Sequence, residues 1–211
     1  MINLQQITLH RGDRTLLSAF DLTVNPGEAV QLIGPNGVGK SSLLRLCAGL
    51  LKEFEGTASI PAMSDTLYFG HQYGLRGVLS GVENLRYHCA LRDQRPTEGE
   101  LIDALSQFQL GASMLSRVAN LSEGQRKRVA LSKLVLANES LWLLDEAFSS
   151  LDTEGLSTLT ALCAAHVSNG GTLLFTSHQP VLLSVPVRVI DLGAGSCGRC
   201  CVGSGLSLAG P

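Results

Sequence analysis

The segment Gly34-Pro35-Asn36-Gly37-Val38-Gly39-Lys40-Ser41 follows a mostly apolar run, Ala29 to Ile33. After it, Leu43, Leu46, Cys47 and Leu50 recur at helical spacing. A buried strand, a glycine-rich loop and a helix in that order commit a chain to a parallel α/β sheet covered by helices. The same order makes a phosphate loop. Its glycines let backbone N–H groups turn inward on phosphate oxygens. Lys40 adds positive charge near the β- and γ-phosphates, and Ser41 can supply a hydroxyl to Mg²⁺. The helix starting there points its positive dipole end at the anion. A chance glycine-rich turn would have neither the strand before it nor the helix after it. The expected phosphate-binding set is Gly34, Pro35, Asn36, Gly37, Val38, Gly39, Lys40, Ser41 and Ser42.

Residues 2–33 read as strands. Phe20, Leu22 and Val24 alternate with polar residues before Asn25-Pro26-Gly27 turns the chain. Residues 74–137 read as mainly helical. Ser80 with Glu83 is a capping box. Thr97 caps a second helix that shows Leu101, Ala104, Leu105 and Phe108 on one face, with Gly111 as its stop. Ser122 caps a third helix, expected to run to about Asn138. From residue 141 strand and helix alternate again. Leu141–Leu144 and Thr172–Phe175 suit a parallel sheet buried on both faces, and Val187–Leu192 reads as the last strand. The chain is expected to be one α/β domain over residues 1–195 with a helical insertion over about 74–137. Residues 196–211 form a Gly/Ser/Cys-rich tail that reads as disordered.

Composition excludes several classes. The 211 residues are 45% hydrophobic, enough for one full-sized core. A net charge of −2 argues against nucleic acid or anionic lipid as the main partner. Residues 1–14 lack the apolar core of a signal segment. No apolar run reaches the roughly 18–20 residues of a membrane span, so any membrane link is expected to come through a partner. Cys47, Cys89 and Cys163 read as reduced core cysteines. Cys197-Gly198-Arg199-Cys200-Cys201 is close to a covalent haem-attachment motif, but Cys201 stands where that motif requires histidine.

Asp145 and Glu146 end the apolar run Leu141-Trp142-Leu143-Leu144. A carboxylate at the end of a buried strand is costly unless a cation pairs with it, and Mg²⁺ fits that need. Asp145 would hold the metal. Glu146, one residue on, points elsewhere and can orient and deprotonate an attacking water. His178 follows the next strand and falls on the edge where α/β sheets place ligands.

Between phosphate loop and acidic strand lies Leu121-Ser122-Glu123-Gly124-Gln125. This stretch resembles the signature of ATP-binding-cassette (ABC) ATPases. With the phosphate loop before it and the acidic strand and His178 after it, the resemblance covers residues 1 to about 192. It implies a RecA-like P-loop NTPase core with a parallel sheet, an N-terminal antiparallel β-subdomain and an inserted helical subdomain. It implies ATP and Mg²⁺ as ligands. Gln72 matches the glutamine-loop residue that contacts Mg²⁺ or water. Ser149-Ser150-Leu151-Asp152 matches the loop joining the two sites of a dimer, and His178 the switch histidine that senses the γ-phosphate. Ser122, Gly124 and Gln125 match signature residues that reach the nucleotide held by a second copy in a head-to-tail pair. A capped helix start at Ser122 also makes an anion site lacking its own lysine. Arg126-Lys127-Arg128 reads as the solvated face of that helix.

The stretches Gly70-His71-Gln72, Leu79 to Leu85, Leu121 to Leu131, Leu141 to Glu146 and Thr176 to Pro180 are similar to the ATP-binding subunits of bacterial cytochrome c maturation (haem exporter) transporters. That resemblance implies a peripheral subunit on the cytoplasmic face of the inner membrane, bound to an integral-membrane permease. Its ATP hydrolysis would drive release of haem-loaded periplasmic chaperone. Three residues depart from the family pattern. Arg11 stands near where an aromatic residue usually stacks on adenine, and its guanidinium plane can take that place. Ala147 replaces a usual proline, which suggests a less rigid turn. Glu123 replaces a glycine and is expected to point away from the phosphate site. Two other classes compete: a soluble ABC protein acting on ribosomes or DNA, which usually carries two cassettes or a coiled-coil insertion, and a P-loop small-molecule kinase, which leaves residues 121–125 and Asp152 without a role.

Overall fold

The computed structural model describes residues 1–178 and 181–193. The tail expected to be disordered, with Cys197, Cys200 and Cys201, lies outside the described residues, as do Gln179 and Pro180. The chain opens with β1 (Ile2–Arg11) and β2 (Arg14–Val24), which pair antiparallel from Ile2 opposite Val24 to Arg11 opposite Arg14. β3 (Ala29–Ile33) then enters a second sheet and delivers the phosphate loop to α1 (Lys40–Cys47). β4 (Glu55–Ser59) returns to the free side of β1, closing a three-stranded sheet in the order β2-β1-β4. β5 (Thr66–Phe69) rejoins the second sheet.

The helical insertion follows as α2 (Gly81–Ala90), α3 (Glu98–Gln107) and α4 (Glu123–Leu131). Then come β6 (Leu141–Leu144), α5 (Thr153–Ser168), β7 (Thr172–Thr176) and β8 (Val187–Asp191). The second sheet has the order β5-β6-β7-β3-β8 with every pairing parallel. This is the expected α/β architecture.

Period-2 alternation splits the apolar strands between two faces. Val30, Leu32, Leu141, Leu143 and Leu174 face the first core, with Ile2, Leu4, Ile7 and Leu9 of the antiparallel sheet and Leu43, Leu44 and Leu46 of α1. Trp142, Leu144, Leu173 and Phe175 face the second, against Leu159 and Cys163 of α5 and Ala130 and Leu131 of α4. The insertion has a core of its own from Val82, Leu85, Leu101, Leu105, Val118 and Val129. Cys47, Cys89 and Cys163 are buried free thiols, as expected.

The expected capping box forms on Ser80, and the expected caps Thr97 and Ser122 turn out to be capping boxes as well, with Glu100 and Gln125. Three helix ends differ from expectation. α1 stops at Cys47 because Gly49 takes φ 70°, the left-handed conformation that closes a helix, and Leu50 is left exposed. α4 ends at Leu131 rather than near Asn138. The Ser132 hydroxyl donates to the Arg128 carbonyl at 2.8 Å, and the chain tightens into a 3-10 turn over Ser132–Leu136. The expected stop at Gly111 also comes early, at Gln107, and Gly111 begins a 3-10 turn.

The insertion is fastened to the rest of the molecule by polar groups near its α2 end. Arg92 pairs with the buried Glu139, and Lys133 donates to the Tyr73 carbonyl at 2.7 Å. His88 sits beside both cations. Burial first, then the charges of Lys133 and Arg92, push its pKa from 6.5 down to about 3. The folded pKa is therefore depressed. The unfolded chain takes up a proton below about pH 6.5 that the folded chain refuses, so stability is present above that pH and is lost as pH falls toward 3. The midpoint of thermal unfolding should drop between pH 7 and pH 5, and His88→Gln should flatten that drop. Equal slopes in the two proteins would refute the assignment.

Candidate functional site

The loop between β3 and α1 requires glycine at two points. Gly34 has φ 137° and Gly39 φ 116°. A Cβ on Gly34 would lie 3.2 Å from the Gly193 nitrogen, and one on Gly39 3.2 Å from Leu16 Cβ. Lys40, only 8% exposed, folds its ammonium over the loop and donates to the Gly34 and Pro35 carbonyls at 2.7 and 3.1 Å. The loop borders a cleft of about 370 Å³. Asn36, Gly37, Gly39, Lys40, Ser41 and Ser42 line it, together with Arg11, Leu16, His71, Glu146 and His178. Arg11, at the end of β1, therefore reaches the cleft from the antiparallel sheet.

Asp145 continues β6 by donating its N–H to the Phe69 carbonyl at 2.7 Å, and the residue is 2% exposed. Its Oδ1 accepts from the Ser41 hydroxyl at 3.0 Å and from the Thr176 hydroxyl at 2.9 Å. Its Oδ2 is buried and has no hydrogen-bond partner among the described residues. A buried carboxylate oxygen with an open lone pair beside an anion-binding loop is chemically suited to a hard divalent cation. The donor set of Ser41 and Asp145 therefore fits Mg²⁺.

Glu146 takes φ 53°, which turns its side chain away from that of its neighbour. Its Oε1 lies 3.4 Å from His178 Nε2. His178 is 54% exposed in its side chain, whereas the Glu146 side chain is largely enclosed. Thr176, 0% exposed, joins the two acids: its hydroxyl donates to Asp145 Oδ1 and accepts from the Glu146 N–H at 2.9 Å.

The structure thus brings Arg11, the phosphate loop, Asp145, Glu146 and His178 together. It leaves five other expected residues, Gln72, Ser122, Gly124, Gln125 and Asp152, outside the cleft lining. Gln72 is exposed in the bend after β5, where its neighbour His71 lines the cleft instead. Ser122 caps α4: its Oγ accepts from the Gln125 N–H at 3.2 Å, and Gln125 Oε1 accepts from the Ser122 N–H at 2.9 Å. The amide nitrogen of Gln125 also donates to Ser113 at 3.0 Å. Gly124 is exposed, and a Cβ there would meet nothing within 4 Å. Asp152 caps α5, accepting from the Gly155 N–H at 3.0 Å, and pairs with Arg128. Glu123 lies exposed, 3.7 Å from Arg126 Nη1. After burial, its carboxylate is the neighbour that raises the pKa of the Tyr73 phenol.

The cationic run differs from expectation. Only Arg126 is a solvated member. Lys127 is 5% exposed, and its ammonium donates to the Glu146 and Ser149 carbonyls at 3.1 and 2.5 Å. Arg128 donates to the Phe108 carbonyl at 3.2 Å and pairs with Asp152. Lys127 shares a helical face with buried Ala130 and Leu131, so its i, i+3, i+4 spacing carried the signal that charge alone hid. Thr176 was also missed as a site residue, although a hydroxyl ending an apolar run of Leu and Phe marks a buried polar contact.

Thr176→Val keeps the shape but leaves the Glu146 N–H without its acceptor and takes one of two hydroxyl donors from Asp145, leaving Ser41. It should cost roughly 1–3 kcal/mol in denaturant unfolding. Thr176→Ser should cost less, and equal losses would show that the hydroxyl is not the operative group.

The family model for ABC transporters matches residues 17–149. The cytochrome c biogenesis ATP-binding export protein CcmA of Vibrio parahaemolyticus is 36% identical over 204 residues, covering 92% of this chain and all of that protein. The protein of the same name from Methylococcus capsulatus is 38% identical over 192 residues, 86% of this chain and 93% of that one. Among solved structures, a dimeric post-hydrolysis state of the ATP-binding cassette MJ0796 bound to ADP and Pi superposes with a TM-score of 0.81 at 23% identity. It covers 94% of this chain and 97% of that one. The match of the family model and of these relatives over most of the chain shows its family: the chain belongs to the ABC transporter family of ATP-binding cassettes, among the CcmA-like proteins.

Proposed function

We propose that this chain is the ATP-hydrolysing subunit of an ABC transporter of cytochrome c biogenesis, the haem exporter, driving release of haem-loaded periplasmic chaperone. The convergence of the phosphate loop, Asp145, Glu146 and His178 on one cleft carries the reading. Ser122 and Gly124 sit outside that cleft, on the exposed start of α4. That placement supports a head-to-tail pair, in which they complete the site of a second copy.

In this reading ATP phosphates take the backbone N–H groups of residues 34–42, and Lys40 exchanges its loop carbonyls for phosphate oxygens. Arg11 stacks on the base. Ser41 and Asp145 would hold Mg²⁺, which would neutralise charge on the phosphate oxygens when bound, whereas the expected ligand Gln72 lies outside the cleft in this structure. Glu146 orients the attacking water and receives its proton. His178, within reach of the Glu146 carboxylate, marks the position of the γ-phosphate. Gln125 fixes the capped turn that presents Ser122, and Asp152 lies in the segment that joins the two sites. The protein contributes mainly prearranged charge, because phosphoryl transfer leaves it little covalent work.

No helix among the described residues is long and apolar enough to cross a membrane. An integral-membrane permease would therefore hold the subunit at the cytoplasmic face of the bacterial inner membrane. Residues 73–90, next to Gln72 and at the start of the insertion, are the proposed docking surface. Val78 is exposed there, as is Tyr87 with Arg76 over its ring at 4.3 Å.

Lys40→Ala should abolish ATP binding in a fluorescent-nucleotide titration. Glu146→Gln should keep binding, lose about 10²–10⁴-fold in hydrolysis and accumulate ATP-dependent dimers in size-exclusion chromatography. Wild-type turnover in Glu146→Gln would refute the base assignment. For the larger claim, the chain should co-purify with a membrane protein from detergent extracts, and its deletion should abolish c-type cytochromes. Recovery with ribosomes or DNA and intact cytochromes would refute it.

A further inference from the structure

The peptide groups on both sides of the Glu146 Cα are fixed by side chains from other elements. On one side the Glu146 N–H donates to Thr176 at the end of β7. On the other, the Glu146 carbonyl accepts from Lys127 Nζ at 3.1 Å and from the Ser149 hydroxyl at 2.8 Å. Lys127 also donates to the Ser149 carbonyl and reaches the Ser149 hydroxyl at 3.3 Å. The ammonium thus spends its donors on one short turn. That turn needs outside support, since both Glu146 and Ser150 adopt φ 53°. Holding the N–H and the carbonyl sets the direction of the Cα–Cβ bond, and with it the aim of the carboxylate.

We propose that Lys127 is a positioning residue for Glu146, and that α4 thereby links the signature turn to the hydrolytic carboxylate of the same chain. The inference rests on the reading of Glu146 as the group that activates water. α4 begins at the capped Ser122 turn and carries Lys127 and Arg128 one turn later. Lys127 grips the start of the 146–152 segment, while Arg128 grips its end at Asp152 and anchors to the Phe108 carbonyl. A shift of α4 when Ser122 meets a second copy's nucleotide would move the Glu146 turn with it. Each site would then register whether the other is filled. Desolvation lowers the pKa of Lys127, as expected for an ammonium kept in a buried position for the donors it supplies. A buried cation that only staples two elements would affect the whole fold instead.

The test uses the full chain and compares Lys127→Met with Lys127→Arg. Lys127→Met should lower kcat by about 10–100-fold, the scale of a catalytic group displaced by about 1 Å, with ATP affinity within about 3-fold of wild type. Lys127→Arg, which retains charge and donors, should recover much of that kcat. In a Glu146→Gln background, Lys127→Met should cause no further loss. Unchanged kcat in Lys127→Met overturns the proposal, as does a parallel fall in kcat, ATP affinity and melting temperature. An additional loss in the Glu146→Gln background also overturns it, because Lys127 would then act by another route. If Lys127→Met does not fold, Ser149→Ala removes a donor from the same carbonyl at an exposed position. It should lower kcat several-fold at unchanged ATP affinity, and an unchanged kcat overturns the proposal. Wild-type turnover in Glu146→Gln alone is a separate outcome, which removes the base assignment.

Discussion

The buried carboxylate of Asp145 organises this molecule. Removing a carboxylate from water costs several kcal/mol even after relaxation, and two neutral hydroxyls compensate only part of that. Ser41 and Thr176 supply those hydroxyls to one oxygen, and the other oxygen is left bare. The arrangement is affordable only in a fold that brings three strand ends to one place. Parallel pairing of β6 with β7 and of β7 with β3 does so, setting Asp145, Thr176 and the phosphate loop on the same edge of the sheet. The edge is where doubly covered sheets bind ligands, because helices close both faces. A bare oxygen there is a stored preference for a cation, held in place before any nucleotide arrives.

The second organising element is α4. It is short, and its apolar residues bind the insertion to the second core through Val129 on one side and Ala130 and Leu131 on the other. Its charged residues then divide by position. Those in the first turn are exposed and available to another molecule, whereas Lys127 and Arg128 turn back onto the segment after β6. One nine-residue helix thus has an outward-facing end and an inward-facing flank. In the proposed coupling, a displacement of the first turn would reach the segment after β6 through this helix alone.

Much of this was legible in the sequence, and the failures have identifiable causes. Strand β3, the phosphate loop, the three helix caps and the two acids at the end of β6 are set by local signals: apolar runs, glycine spacing, and a hydroxyl just before a helical pattern. β4 and β5 went unread. β4 is largely polar and exposed, and β5 is four residues long, so neither carries a period. The end of α4 was placed too late because Leu134 and Leu136 continue the apolar pattern through the 3-10 turn. Lys127 and Thr176 were missed for a different reason. Their roles depend on partners 19 to 31 residues away, Glu146 and Ser149 for the lysine and the two acids for the threonine. Local propensity contains no information about those meetings.

The turn after Glu146 is held without the proline that the resemblance led us to expect at position 147. A proline at position 147 would restrict the backbone on its own, by fixing one dihedral in folded and unfolded chains alike. Ala147 imposes no such restriction. Here the restriction comes from tertiary contacts. Ala147 and Phe148 are buried, Phe148 packs against Phe175 at 5.1 Å between ring centres, and Lys127 ties the two carbonyls that flank the pair. The two solutions differ in what they respond to. A proline holds its turn whatever the rest of the molecule does. A turn held by a lysine on α4 holds only while α4 is in place, so the stiffness of this turn depends on α4.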